Sequence, residues 1–232
     1  MIKEISIPVF ENNTPKSMIG LISKAVNDSS YPIKFLNAKK SSQWWISDDN
    51  WNIIIPDAVS ISLSESSYKG GGNSPVDPLA PLAEELNNSL TKIFLSNGFV
   101  ANVLNTGNFD DYVIAFQKDE TRCTIITDGD FGLQTVACSD NFQQAYDSQI
   151  PYLKALNDYD SIVSVQEKIG DFTWLNVHFR RTGHLTLVEE KNGKIKLIFS
   201  GQESPYCKLM YENNVPKEVY KTCYDEKGNI VK

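Results

Sequence analysis

Apolar residues recur at helical spacing in one long segment of this chain, residues 77–97. Its apolar positions repeat every three or four residues, which predicts a helix with one buried face. Asp77 with Pro78 supplies a start signal, and Asn97 with Gly98 supplies a stop signal. The apolar stripe consists of Leu79, Leu82, Ala83, Leu86, Leu90, Ile93 and Phe94. Such a stripe requires a partner surface, and the strand-like segments that follow can provide it.

Strands are predicted in two parts of the chain. Strand-like segments lie at 100–104 and 112–116, and again at 173–179 and 194–200. Asn192-Gly193 is a strong hairpin signal directly before the last of them, because both residues accept the backbone angles of a tight turn.

Further helices are predicted at three places. Thr14-Pro15 suits an N-cap and first helical residue. Another helix is expected to open at Ser139 and to be broken or kinked by Pro151. A short helix is expected over 215–223.

The order of a helix, an antiparallel meander and a cysteine pair occurs twice along the chain. This order predicts an α+β fold of antiparallel β-meanders, each preceded by a helix. We expect two tandem helix-plus-sheet subdomains, 1–138 and 139–232, each stapled by a disulfide. The two halves share no convincing residue-level repeat, so the order alone suggests a duplication.

The four cysteines form two similarly spaced pairs, Cys123 with Cys138 and Cys207 with Cys223. A hairpin about the turn-forming residues 128–132 would bring Cys123 directly opposite Cys138, at a separation that suits a disulfide. Four cysteines allow three connectivities, and the spacing favours local pairing. Disulfides imply an oxidising compartment, so we expect an extracytoplasmic protein.

Composition limits the classes of partner. The formal net charge of −7 and the pI near 4.9 argue against nucleic acid and against electrostatic docking on anionic lipid. No apolar run approaches the roughly 20 residues that span a bilayer. Residues 1–8 lack the apolar region of a signal peptide. We therefore expect a leader or lipid anchor that Met1 has replaced; the alternative is a cytosolic protein with four free thiols.

Several motifs in the last third of the chain occur together. They are Gly170-Asp-Phe172, the hairpin at 190–200, Ser200-Gly-Gln202, Cys207, Val215-Pro216 and Cys223. This stretch resembles uncharacterised lipoprotein-like extracytoplasmic proteins of small-genome bacteria. It departs from their pattern in having Thr173 after Gly-Asp-Phe. It also departs at Ile195, where those proteins usually have a tryptophan. The resemblance implies compartment and fold, and it carries no known activity or catalytic residue.

Aromatic residues supply the candidate binding sites. Trp44, Trp45 and Trp51 flank the polar run 48–50. If exposed, such tryptophans could stack on sugar rings while the polar side chains bind hydroxyls; the alternative is that they are core residues or anchors for a protein partner. Phe172 and Trp174 form the next candidate patch, on the nominally outer face of their strand.

No catalytic or metal-binding pattern is complete. His178 and His184 are the only histidines, and a zinc site needs three or four ligands. Asp128 and Asp130 indicate a tight turn, since the spaced carboxylates of a calcium loop do not follow. No Gly-x-Ser-x-Gly motif is present. We expect no metal and no organic cofactor, and we lean against an enzyme.

These observations predict an extracytoplasmic, non-catalytic interaction or structural module. Its partner would be a protein or a cell-envelope glycan. The alternatives are a glycan-binding module that uses Trp44, Trp45 and Trp51, or a hydrolase whose site the sequence does not reveal.

Overall fold

The computed structural model of the protein describes residues 4–64, 80–105, 112–127, 134–179 and 182–231. Within these ranges the chain forms the predicted α+β fold with antiparallel sheets. These ranges contain four helices and three sheets. The helices are α1 (Pro15–Asp28), α2 (Ala80–Ser96), α3 (Phe142–Leu156) and α4 (Cys207–Glu212).

The described strands form one sheet of six, one of four and one of two. The first contains β1 (Lys39–Ile46), β2 (Asn52–Ser62), β3 (Val100–Asn105), β4 (Tyr112–Lys118), β5 (Thr121–Thr127) and β6 (Gln134–Ser139), in the order β1-β2-β6-β5-β4-β3. The second is a meander in the order β10-β9-β8-β7, of β7 (Ile162–Ile169), β8 (Phe172–Phe179), β9 (Thr182–Lys191) and β10 (Lys194–Gly201). The third pairs β11 (Cys223–Tyr224) with β12 (Ile230–Val231).

The chain divides into two compact units. The first unit comprises Met1–Asn50 with Ile55–Ala145, and the second comprises Trp51–Ile54 with Tyr146–Lys232. The subdomain boundaries at 138 and 139 stay a prediction, since compactness does not show that either part folds alone.

The core of the first unit lies between α1, α2 and one face of the six-stranded sheet. Leu86, Leu90, Ile93 and Phe94 of α2 are fully buried there, together with strand residues such as Ile125. The predicted stripe is therefore a packing face. Its predicted start at Asp77-Pro78 and the first residue of the stripe, Leu79, lie outside the described residues.

The predicted stop signal of α2 operates at Gly98. Gly98 has a φ of 83°, and the backbone N–H of Phe99 donates to the carbonyl of Phe94 at 3.1 Å. This left-handed ending is one that glycine adopts without strain, and it turns the chain directly into β3.

Both predicted disulfides are present. Cys123 on β5 lies directly opposite Cys138 on β6, and the bond joins them within the core of the first unit. Cys207, at the start of α4, is bonded to Cys223 in the core of the second unit. In the described part of the chain, no cysteine is free. Two disulfides are compatible with an extracytoplasmic protein.

Two helix predictions need correction. The segment 215–223 forms a single turn, in which the N–H of Val219 donates to Pro216, and buried Val219 and Tyr220 hold it against the core. The short helix lies earlier, at α4. Pro151 does not break α3, which continues to Leu156, so of its two predicted effects only a kink stays a prediction. Asn192-Gly193 forms the predicted hairpin turn, with φ angles of 53° and 71°.

Searching the described residues reveals no helix with the length and apolar character needed to span a membrane.

Candidate functional site

The three tryptophans predicted as one exposed patch differ in exposure. Trp44 is 50% exposed, whereas Trp45 is 1% and Trp51 is 4% exposed. Of the two alternatives for this cluster, exposure is therefore wrong for Trp45 and Trp51, and the alternative that they are core residues holds for both. Both have aromatic partners from distant parts of the sequence that cover their rings.

Trp45 belongs to a layered cluster in the first unit. Its ring stacks on Phe142, with centroids 6.1 Å apart, and the guanidinium carbon of Arg122 lies 4.0 Å from the centre of the Phe142 ring. Arg122 in turn binds the carboxylate of Asp48. The polar run that was a candidate for binding sugar hydroxyls thus contributes Asp48 to an internal ion pair.

Trp51 stacks on Tyr159 within the second unit, at a centroid distance of 4.1 Å. The side-chain amide of Asn52 donates to the backbone carbonyl of Tyr159 at 3.2 Å. These contacts explain why Trp51 has little exposed surface.

The second candidate patch is also part of a core. Phe172 is 8% exposed, and Trp174 is partly buried against the same cluster. The indole N–H of Trp174 donates to the backbone carbonyl of Val219 at 2.7 Å, and its ring meets Phe199 edge to face. The prediction that these residues lie on an outer strand face is wrong, because the C-terminal segment covers that face.

His178 and His184 do not form a pair. In the β8–β9 register, His178 is opposite Gly183, and His184 is opposite Val177. Directly paired residues share a face of the sheet and successive residues alternate, so the two imidazoles lie on opposite faces. No group of three potential metal ligands is present among the described residues.

A polar cluster centred on Glu190 lies in the second unit. Glu190 accepts hydrogen bonds from the Tyr152 hydroxyl at 2.9 Å, from Lys168 at 2.6 Å, and from the Thr173 hydroxyl. Burial, together with the nearby Glu190 carboxylate, raises the pKa of Tyr152 to about 12. Burial also acts to raise the pKa of Glu190, but the three donors outweigh it and leave that pKa below its usual value.

These protonation states decide what the Glu190 cluster can do. At neutral pH the tyrosine is a fixed donor and the glutamate a fixed acceptor, so neither is poised to transfer a proton. The cluster joins α3 to strands β7, β8 and β9. We interpret it as a structural cross-link.

An exposed apolar surface that the sequence analysis missed lies at the C-terminal end of the second unit. We call it the tyrosine strip, and it consists of Tyr206, Tyr224 and Ile230. Tyr206 is 61% and Ile230 is 58% exposed, and Tyr224 is partly exposed. The rings of Tyr206 and Tyr224 lie 6.3 Å apart, and Tyr224 is paired directly with Ile230 across the β11–β12 ladder. Directly paired residues share a face, so the three side chains adjoin.

The backbone of the tyrosine strip is held on both sides. Cys207 directly follows Tyr206, and Cys223 directly precedes Tyr224. The disulfide between these cysteines holds their Cα atoms 5.0 Å apart. Tyr206 and Tyr224 form a parallel β-bridge, in which the backbone N–H of Tyr224 donates to the backbone carbonyl of Pro205 at 2.9 Å. The strip is therefore ordered before any partner arrives, which lowers the entropic cost of binding.

The Ile230 end of the strip is fixed by a turn. The carboxylate of Asp225 accepts from the backbone and side-chain amides of Asn229, at 2.7 and 2.9 Å, and from the backbone N–H of Lys227. Hydrogen bonds from Asn229 lower the pKa of Asp225. The bond from the Asn229 side chain has the largest effect, and the bond from its backbone N–H has the next largest. The ionised carboxylate thus holds the turn that brings Ile230 back beside Tyr224.

One signal in the sequence could have revealed the strip. Tyrosine adjoins cysteine at 206–207 and again at 223–224. A disulfide between such cysteines must bring the tyrosines near one another.

Comparison with protein-family models, with curated proteins and with solved structures found no match for this chain.

Proposed function

We propose that this chain is an extracytoplasmic, non-catalytic interaction module, and that the tyrosine strip anchors a protein partner. The observation that carries the proposal is a pair of adjoining tyrosines, Tyr206 exposed and Tyr224 partly exposed, whose neighbours in the chain are covalently joined. Tyrosine is enriched among the residues that dominate protein interfaces, because its ring offers a large apolar area and its hydroxyl still forms a hydrogen bond.

The strip suits a protein better than a sugar. Ile230 extends the apolar area and has no side-chain group that could bind a sugar hydroxyl. The two rings are tilted by 54°, so they do not form one flat platform. An apolar side chain of a partner can fit against such a surface and exclude water from it.

The proposed compartment is supported by the two disulfides. The proposed relationship to lipoprotein-like extracytoplasmic proteins is supported by the motif residues at 170–172, 200–202, 207 and 223. Trapping of free thiols in living cells tests the compartment. Four oxidised cysteines are expected, and four alkylated cysteines would contradict an oxidising location.

Site-specific photocrosslinking tests the partner. A photoreactive phenylalanine analogue replaces Tyr206 in the cells that make the protein, and Tyr159 is the matched control because it is a 54% exposed tyrosine of the same unit. We expect a discrete protein adduct from position 206 alone. The adduct should disappear when Ile230→Asp is added, since a charge would disrupt the apolar strip.

Two outcomes would contradict the proposal. Equal adducts from positions 206 and 159 would show that crosslinking reports exposure only. An adduct at position 206 that contains carbohydrate would favour the glycan-binding alternative.

A further inference from the structure

Strand β3 forms one edge of the six-stranded sheet. It pairs with β4 from Val100 to Asn105 without any shift in register. Within the described chain, β4 is its only strand neighbour. An edge strand presents a row of backbone N–H and C=O groups that can pair with another strand.

The edges of the four-stranded sheet carry features that discourage such pairing. Strand β7 contains Glu167 and Lys168 and has a register shift between Val165 and Glu167. Strand β10 contains two lysines and has a shift between Leu197 and Phe199. Charges and bulges on an edge both oppose the addition of a strand.

The opposite edge of the six-stranded sheet is also charged. Strand β1 begins with Lys39-Lys40. Strand β3, with the sequence Val-Ala-Asn-Val-Leu-Asn, has no charged residue, proline or glycine. Val100 is 73% and Val103 is 71% exposed. Strand β3 therefore differs from β1, β7 and β10 in charge, and from β7 and β10 also in the regularity of its register.

The faces of β3 follow from its register with β4. Ala101 is opposite Phe116 and Val103 is opposite Ile114, and those two β4 residues pack on the helix side of the sheet. Ala101 and Val103 therefore lie on the helix side, at the edge of the core. A strand added beside β3 would cover Val103 and extend this apolar face.

We propose that β3 is a self-association site, at which a second copy of the chain pairs its own β3 in the antiparallel direction. The strand itself carries no charge, and Asp48, which accepts a hydrogen bond from Asn102 of this strand, is paired with Arg122. A two-fold arrangement therefore brings no uncompensated like charges together along the new ladder. A two-fold axis perpendicular to the sheet pairs residues of the same face. Registers centred on Asn102 or on Val103 place Val103 opposite Ala101 or Val103 of the second copy, and both of these give it an apolar neighbour.

The contact is small. Five or six paired residues bury less surface than the roughly 1,600 Å² of a standard interface, so we expect a dissociation constant in the micromolar range. Strand β3 shares no residue with the tyrosine strip, so this proposal does not rest on the proposed function.

Sedimentation velocity of the full oxidised chain, from about 1 to about 500 µM, measures the association directly. We expect a monomer–dimer equilibrium. Val103→Lys should weaken it at least roughly ten-fold, because it replaces the apolar contact of Val103 with a charge in both registers and places two lysines opposite each other in the Val103–Val103 register. Val165→Lys is the matched control, since Val165 is a 51% exposed valine on the edge strand β7. Circular dichroism verifies that each variant is folded.

Hydrogen exchange identifies the strand involved. Amides of residues 100–104 should exchange more slowly at high than at low protein concentration in the wild type, and equally at both in Val103→Lys. A wild type that stays monomeric to the highest concentration overturns the proposal. So does a dimer that Val165→Lys weakens as much as Val103→Lys, or one that Tyr206→Ala abolishes while Val103→Lys does not.

Discussion

Arg122 and Asp48 form an ion pair in which the cation is buried and the anion is largely exposed. Nη2 of Arg122 lies 2.8 Å from Oδ1 of Asp48, and the two side chains are 3% and 62% exposed. The same nitrogen donates to the backbone carbonyl of Ile46 at 3.3 Å. The turn after β1 thus supplies the counter-charge for an arginine in the middle of the sheet, where an unpaired charge would be costly.

We predict that Asp48→Asn lowers the free energy of unfolding by about 1–3 kcal/mol, because a neutral amide leaves the Arg122 charge without compensation. Urea unfolding at pH 7, followed by circular dichroism, measures the change. Asp119→Asn is the matched control: Asp119 is exposed, belongs to the same unit, and has a φ of 52° that asparagine accepts. Equal losses in the two variants would mean that the ion pair contributes nothing specific.

The same pair predicts a dependence on pH. The hydrogen bond from Arg122 holds the pKa of Asp48 below its ordinary value of 3.8. The unfolded chain therefore binds this proton more readily than the folded one, and the contribution of Asp48 to stability is lost as the pH falls through the folded pKa. We expect the stability difference between wild type and Asp48→Asn to shrink from pH 6 to below about pH 3. A difference that stays constant over that range would contradict the assignment.

The packing of α2 gives a prediction for the core of the first unit. Leu86→Ala should lower the free energy of unfolding by about 2–5 kcal/mol, because the side chain is fully buried and leaves a cavity. Leu95→Ala, on the same helix, is the control. Leu95 is 48% exposed, so this variant should lose much less free energy of unfolding. A loss below about 0.5 kcal/mol for Leu86→Ala would be incompatible with the observed packing.

Local patterns explain which features could be predicted from the sequence. The pairing of Cys123 with Cys138 depends on the register of a single hairpin. The α2 stripe depends on the regular 3.6-residue period of a single helix. Both are settled by neighbours within about 20 residues in the chain. The fold class followed from the order of such elements.

The candidate sites depended on contacts that no local pattern encodes. Trp45 is covered by Phe142 and Trp51 by Tyr159, each about 100 residues away in the sequence. Trp174 is covered by the segment around Val219. A hydrophobic pattern shows that these aromatics are apolar, but it does not show which chain segment buries them.

The different exposures of the tryptophans predict their fluorescence quenching. Trp44→Phe should remove the largest share of the emission that acrylamide quenches readily, because Trp44 is the most exposed tryptophan. Trp51→Phe is the control and should leave that share almost unchanged, since the indole of Trp51 lies under Tyr159. A larger loss of quenchable emission in Trp51→Phe would indicate that Trp51 is exposed after all.

The Cys207–Cys223 disulfide should stabilise the second unit and order the tyrosine strip. The two disulfides span 15 and 16 residues, so their chain-entropy contributions should match, at about 3 kcal/mol each. We therefore expect Cys207→Ser with Cys223→Ser, and Cys123→Ser with Cys138→Ser, to lower the free energy of unfolding by similar amounts, about 2–4 kcal/mol.

Hydrogen exchange separates the two double variants. The backbone amides of residues 203, 204, 206 and 223–231 should exchange faster only when Cys207 and Cys223 are replaced, because that disulfide joins the neighbours of Tyr206 and Tyr224. Crosslinking from position 206 should weaken in the same variant and persist in the other. If exchange in these segments were unchanged, the β-bridge and the Asp225 turn alone would hold the strip, and the disulfide would act only on global stability.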